Sequence, residues 1–66
     1  MTWEELKEKA KEMHFYKGIG ISHITVDGWL KFMKDGTILT DGRFAWQKRA
    51  SNVSYDKMLM IMRGLE

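Results

Sequence analysis

The side chains with chemistry to offer lie between Val26 and Arg49. Three aspartates, Asp27, Asp35 and Asp41, each precede a glycine, and cations alternate with aromatic rings between them. Two chemistries are open to such a set. Converging carboxylates would hold a divalent cation for metal-assisted phosphodiester cleavage. Cations grouped around a ring would neutralise phosphates while the ring stacks on a base, which is what a single strand of nucleic acid requires.

The spacing of the aspartates counts against the first chemistry. Asp-Gly favours a two-residue hairpin turn, because both central positions take positive φ, which glycine adopts freely and aspartate tolerates. Successive turns of a meander lie at opposite ends of the sheet, so Asp27 and Asp41 share one end and Asp35 occupies the other. Each aspartate is then explained by its turn, and a metal-dependent DNA-nicking nuclease is kept as a minor alternative. Ser22, Ser51 and Ser54 have no nucleophile-elbow context, and neither His14 nor His23 stands in a triad motif. Gly18-Ile19-Gly20 lacks the third glycine and the following helix of a dinucleotide fingerprint, so it reads as a connector. No catalytic residue, metal or cofactor is implied.

The second chemistry is favoured by the distribution of charge. From Gly28 to Ala50 there are five basic residues against two turn aspartates, whereas the N-terminal segment sets Glu4, Glu5, Glu8 and Glu12 against Lys7, Lys9 and Lys11. The candidate nucleic-acid contacts are Lys31, Arg43, Lys48 and Arg49, with Trp29 to stack. The strand period of two puts Lys31, Arg43, Gln47 and Arg49 on one face around Trp29, with Lys48 reaching it from the edge or a bend.

These residues need a sheet to hold them. The alternations predict strands over Ile21–Val26, Trp29–Lys34, Thr37–Thr40 and Arg43–Arg49, with a core face of Ile24, Val26, Leu30, Phe32, Ile38, Phe44 and Trp46. Ahead of them, Thr2 and Glu5 spell a capping box, and Trp3, Leu6, Ala10 and Met13 form one helical stripe ending near His14. Behind them, Ser54 caps a last helix with Asp56 in its first turn, where the helix dipole favours an anion. The fold class is α+β, a four-stranded antiparallel meander flanked by two helices in the order α-β-β-β-β-α.

A chain of 66 residues makes one domain near the lower size limit for a single core. It has no cysteine, so no disulfide or thiolate zinc site can reinforce it, and two histidines do not make a structural zinc site alone. The last helix carries Tyr55, Met58, Leu59, Met60, Ile61, Met62 and Leu65 over most of its circumference. A helix apolar on every side is buried on every side, which predicts a homodimer with Met58, Ile61, Met62 and Leu65 at its interface. The longest apolar run, Met58–Met62, is too short to span a bilayer, and the acidic start lacks the features of a signal peptide. The expectation is a cytoplasmic protein with no membrane partner.

Four meandering strands, the Gly42-Arg43 turn and Ser54-Tyr55-Asp56-Lys57-Met58 opening a C-terminal helix resemble the positive cofactor 4 and Whirly-type single-strand binders, over residues 21 to 65. The resemblance implies a homodimer of curved sheets with the helices at its centre, and phosphate contacts from Lys31, Arg43, Lys48 and Arg49. The N-terminal helix, Thr2 to Met13, departs from that pattern, since it precedes the sheet and could cover the very face a ligand would use. The competing class is a protein-interaction module, such as a mobile-element-encoded inhibitor or adaptor, in which methionines repack against an irregular partner.

Overall fold

Thr2 starts the first helix, α1 (Trp3–Lys11), by a reciprocal pair of hydrogen bonds. Its Oγ1 accepts from the Glu5 N–H at 3.1 Å, and Glu5 Oε1 accepts from the Thr2 N–H at 3.0 Å. The Thr2 backbone N–H, followed by its hydroxyl, holds the Glu5 carboxyl below the usual glutamate range. The stripe Trp3, Leu6, Ala10 and Met13 is buried along its whole length.

The computed structural model describes residues 1–13 and 16–65, and the side chains of residues 16 and 17 are left aside. His14 and Phe15, where the sequence places the end of the first helix and the start of the connector, lie outside the described residues. Five strands follow: β1 (Tyr16–Ile19), β2 (His23–Val26), β3 (Leu30–Met33), β4 (Ile38–Asp41) and β5 (Trp46–Ala50). They form one antiparallel sheet in chain order, and α2 (Tyr55–Leu65) closes the chain. The expectation of four strands is corrected to five. The segment read as a connector contains β1, which pairs with β2 through Gly18↔Thr25 and Ile19↔Ile24 after a register irregularity. Its four residues have no alternation to signal a strand, and the open edge of β2 recruits them.

The β2–β3 turn is centred on Asp27-Gly28, with φ of 51° and 78° and the Trp29 N–H donating to the Val26 carbonyl at 3.3 Å. The pairing of Val26 with Leu30 makes the loop three residues, Asp27 to Trp29, rather than the expected two. Pairing His23↔Met33, Ile24↔Phe32, Thr25↔Lys31 and Val26↔Leu30 then sends Ile24, Val26, Leu30 and Phe32 to one face. Ile38, opposite Phe32, joins them. Both helices pack on this same face, side by side, so the molecule is two layers with its core between them. Trp3 and Tyr55 tie the helices together with ring centroids 5.5 Å apart, and Trp3 Nε1 donates to the Ile21 carbonyl at 3.3 Å.

Two core assignments made from the sequence are corrected. Phe44 is 93% exposed, and Trp46 is half-buried outside the core cluster. The reason lies in the hairpin between β4 and β5. Gly42 N–H donates to the Ala45 carbonyl at 2.9 Å, so Arg43-Phe44, not Asp41-Gly42, forms the tip. A Cβ on Gly42 would lie 2.5 Å from the Ala45 oxygen, so the close approach of the two arms requires glycine here. Across this loop Thr40 pairs with Gln47 and Asp41 with Trp46. Gln47 therefore shares the core-facing side with Ile38 and Thr40, Trp46 lies on the other side, and the side chains of β5 take the faces opposite to those expected.

The last helix is also less uniform than its sequence suggested. Ser54 Oγ accepts from the Lys57 N–H at 3.2 Å and caps it as expected. Met58 and Met62 are fully buried and Leu59 nearly so, because α1 lies beside α2 and covers a flank that the sheet alone leaves open. Ile61 is half-buried against the core, and Leu65 is 42% exposed. The outward stripe is Asp56, Lys57, Met60, Arg63 and Gly64, in which Met60 is the one large apolar side chain. No helix of the described residues is long and apolar enough to cross a membrane.

Candidate nucleic-acid interface

The helices occupy one face of the sheet and leave the other open. Register brings Thr25, Lys31, Leu39 and Lys48 into one row across that open face, from β2 to β5. The next row holds Asp41 and Trp46. Trp29 extends this second row, since its carbonyl accepts from the Asp41 N–H at 2.8 Å. Lys31 and Lys48 thus stand on either side of Leu39, and Lys31 Nζ lies 4.3 Å from the centre of the Trp46 ring. That distance is within the range in which the ring quadrupole attracts a cation.

The other residues singled out in the sequence are placed elsewhere. Arg43 sits at the β4–β5 tip with its guanidinium carbon 5.5 Å from the Phe44 ring centre. Trp29 belongs to the β2–β3 turn rather than to a strand, and its Nε1 donates to Asp27 Oδ2 at 3.3 Å. Arg49 does not share a face with Lys31. It is the extra residue of a bulge, because Leu39 pairs with Lys48 and Ile38 with Ala50. Its Nε donates to Thr40 Oγ1 at 2.8 Å and its second terminal nitrogen to Gln47 Oε1 at 3.1 Å. Thr40 pairs with core-facing Leu30, which puts this polar cluster on the helix side of the sheet. The structure therefore brings Lys31 and Lys48 together and separates Arg49 from both, whereas the sequence reading groups Lys31 with Arg49 and leaves Lys48 at the edge. The sequence reading also misses Trp46, whose signal is the pairing across the hairpin: a two-residue loop sets the odd-numbered residues of β5 on the same side as core-facing Ile38 and Thr40 of β4, which turns Trp46 outward.

The electrostatics divide along the same line. Among the described residues the ion pairs are Lys7–Glu4 at 3.0 Å, Lys11–Glu8 at 3.1 Å and the Met1 amino group–Asp56 at 3.7 Å, all in the helix layer. The sheet cations Lys31, Arg43, Lys48 and Arg49 are not part of any of these pairs. Glu4, Glu5, Glu8 and Glu12 face solvent from α1. In the helix layer Glu4, Glu5, Glu8, Glu12 and Asp56 are matched in number by Lys7, Lys9, Lys11, Lys57 and Arg63, whereas Lys31 and Lys48 on the open face stand outside the ion pairs.

The aspartates do not converge. Asp27 accepts from Trp29, Asp35 Oδ1 accepts from the Thr37 N–H at 3.0 Å in its own turn, and Asp41 ends β4. No three His, Cys, Asp or Glu side chains gather to form a ligand set among the described residues. At the opposite end of the sheet, a groove of about 480 Å³ is lined by Ser22, Met33, Lys34, Asp35 and Tyr55. Its polar groups are engaged locally, the Tyr55 hydroxyl donating to the Lys34 carbonyl at 2.6 Å. His23 stands in β2 opposite Met33, half-buried. Comparison with protein-family models, curated proteins and solved structures found no match to this chain.

Proposed function

We propose that this chain binds single-stranded nucleic acid on the open face of its sheet. Lys31 and Lys48 neutralise phosphates and Trp46 supplies the ring, with Trp29 at the rim and Arg43 reaching in from the tip. The observation that supports this reading is Lys31 held 4.3 Å over Trp46 on a face that no helix covers. Phosphate neutralisation and stacking are the two sequence-independent terms of single-strand binding, and they stand here side by side. Arg49 is turned to the far side, where two of its donors are engaged by Thr40 and Gln47, so it is left out of the contact set.

A salt-dependent tryptophan fluorescence titration with single-stranded DNA tests the proposal. Each phosphate contact on a single strand contributes about 0.7 to the slope of log affinity against log salt. Lys31→Ala combined with Lys48→Ala should therefore lower that slope by about 1.4 and weaken binding at low salt. An unchanged slope would remove the face from consideration. An adaptor reading needs a methionine surface that can repack, and on α2 only Met60 is well exposed. A homodimer through α2 would use Ile61, Leu65 and Met60, because Met58 and Met62 are already buried in one chain. Light scattering at high micromolar concentration checks that assembly independently of nucleic acid.

A further inference from the structure

The side chain least accounted for by the fold is Phe44, at 93% exposure. It sits at the apex of a hairpin whose arms are locked by the Gly42 N–H to Ala45 carbonyl bond, so it is presented rather than loosely displayed. Arg43 accompanies it at 5.5 Å, and the adjacent turn at the same end carries Trp29, 42% exposed. The row that begins at Trp29 and passes through Asp41 leads by way of Trp46 directly to this tip.

We propose that the Arg43-Phe44 tip is a second base-stacking element of the same interface. A strand bound along Lys31, Trp46 and Lys48 continues to the tip, where one unpaired base lies on the Phe44 ring and Arg43 takes a neighbouring phosphate. The inference rests on the single-strand reading above. A ring at a convex apex reaches the face of a base only when that base is unstacked, so the tip discriminates single strands from duplex. The exposed carboxylates Asp27 and Asp41 at this end disfavour a run of phosphates there and leave the ring as the attractive feature. They also disfavour a lipid surface, since burying Phe44 in a bilayer would draw both carboxylates toward the headgroups.

The experiment compares the wild-type chain with Phe44→Ala, Phe44→Leu and Phe44→Trp on oligo(dT) of about 4 and about 16 nucleotides, the range of site sizes such surfaces occupy. Phe44 touches no core residue, so its variants keep the fold. Phe44→Ala should lose about 5- to 100-fold in affinity for the longer strand and little for the shorter one, which Lys31, Trp46 and Lys48 alone hold. Phe44→Leu should lose as much, because it keeps apolar surface but has no π face, and Phe44→Trp should restore binding. Unchanged affinity for Phe44→Ala, while Lys31→Ala and Lys48→Ala still weaken binding, would overturn the tip and spare the open-face set of Lys31, Trp46 and Lys48. No binding of any strand at low salt would overturn both. Vesicles of phosphatidylglycerol and phosphatidylcholine form the control: binding to them that Phe44→Ala abolishes, with strand affinity unchanged, would assign the tip to lipid and overturn the inference.

Discussion

Gly42 decides where the most exposed ring of the molecule points. A methyl group there would meet the Ala45 oxygen at 2.5 Å and the Gln47 side chain at 2.8 Å, and the first of these is backbone that cannot swing away. Gly42→Ala should destabilise the fold by about 1–3 kcal/mol, as insertions into filled space do, with a lower urea midpoint as the readout. An unchanged midpoint would show that the arms separate without cost. A different residue-scale control operates at the other end of the chain, where the Thr2 N–H lowers the pKa of Glu5. A carboxyl whose folded pKa is depressed adds stability above its unfolded pKa and loses it as pH falls through the folded value. The gap in melting temperature between wild type and Glu5→Gln should therefore be widest near neutral pH and close as pH drops below the ordinary glutamate range. A gap that stays constant with pH would show that the charge on Glu5 adds nothing to the cap.

At the scale of elements, α2 shows how one layer can satisfy a helix that looks insatiable in sequence. With the sheet beneath and α1 alongside, Met58 and Met62 lose all contact with solvent while Met60 stays 71% exposed. Met58→Ala should cost about 2–5 kcal/mol through the cavity it leaves, whereas Met60→Ala should stay within about 0.5 kcal/mol. Equal effects in chemical denaturation would mean that the outward stripe is also buried, as a second copy would bury it. This contrast also marks what the sequence can reveal. The capping box, the stripe of α1, the Asp27-Gly28 turn and the Ser54 cap are legible because each is set by a few neighbouring residues. The face chosen by β5 is not, because a period of two fixes faces only once its origin is known, and the origin is the pairing of Thr40 with Gln47 across the hairpin, which alternation along β5 does not supply. That pairing moves Trp46 from its expected core place to the open face and parts Arg49 from Lys31. β1 was hidden for another reason: its pairing partner, not its own pattern, makes it a strand.

At the scale of the whole molecule, the adjacent pair Lys48 and Arg49 allows the side that meets nucleic acid to be tested without changing net charge between variants. Lys48 stands in the row with Lys31 on the open face, while Arg49, displaced by the bulge, is hydrogen-bonded to Thr40 and Gln47 on the helix side. Lys48→Ala and Arg49→Ala each remove one positive charge from neighbouring points of one strand. If attraction to nucleic acid followed net charge alone, the two would weaken binding equally, since long-range steering responds to the summed field. If the strand lies on the open face, Lys48→Ala loses a phosphate contact and lowers the salt slope by about 0.7, while Arg49→Ala leaves the slope nearly unchanged. Arg49→Ala gives up two exposed hydrogen bonds, so a thermal melt must first establish that both variants remain folded. Equal slopes for the two folded variants would place the ligand across the edge of β5 rather than on its face, and a larger loss for Arg49→Ala would move it to the helix side.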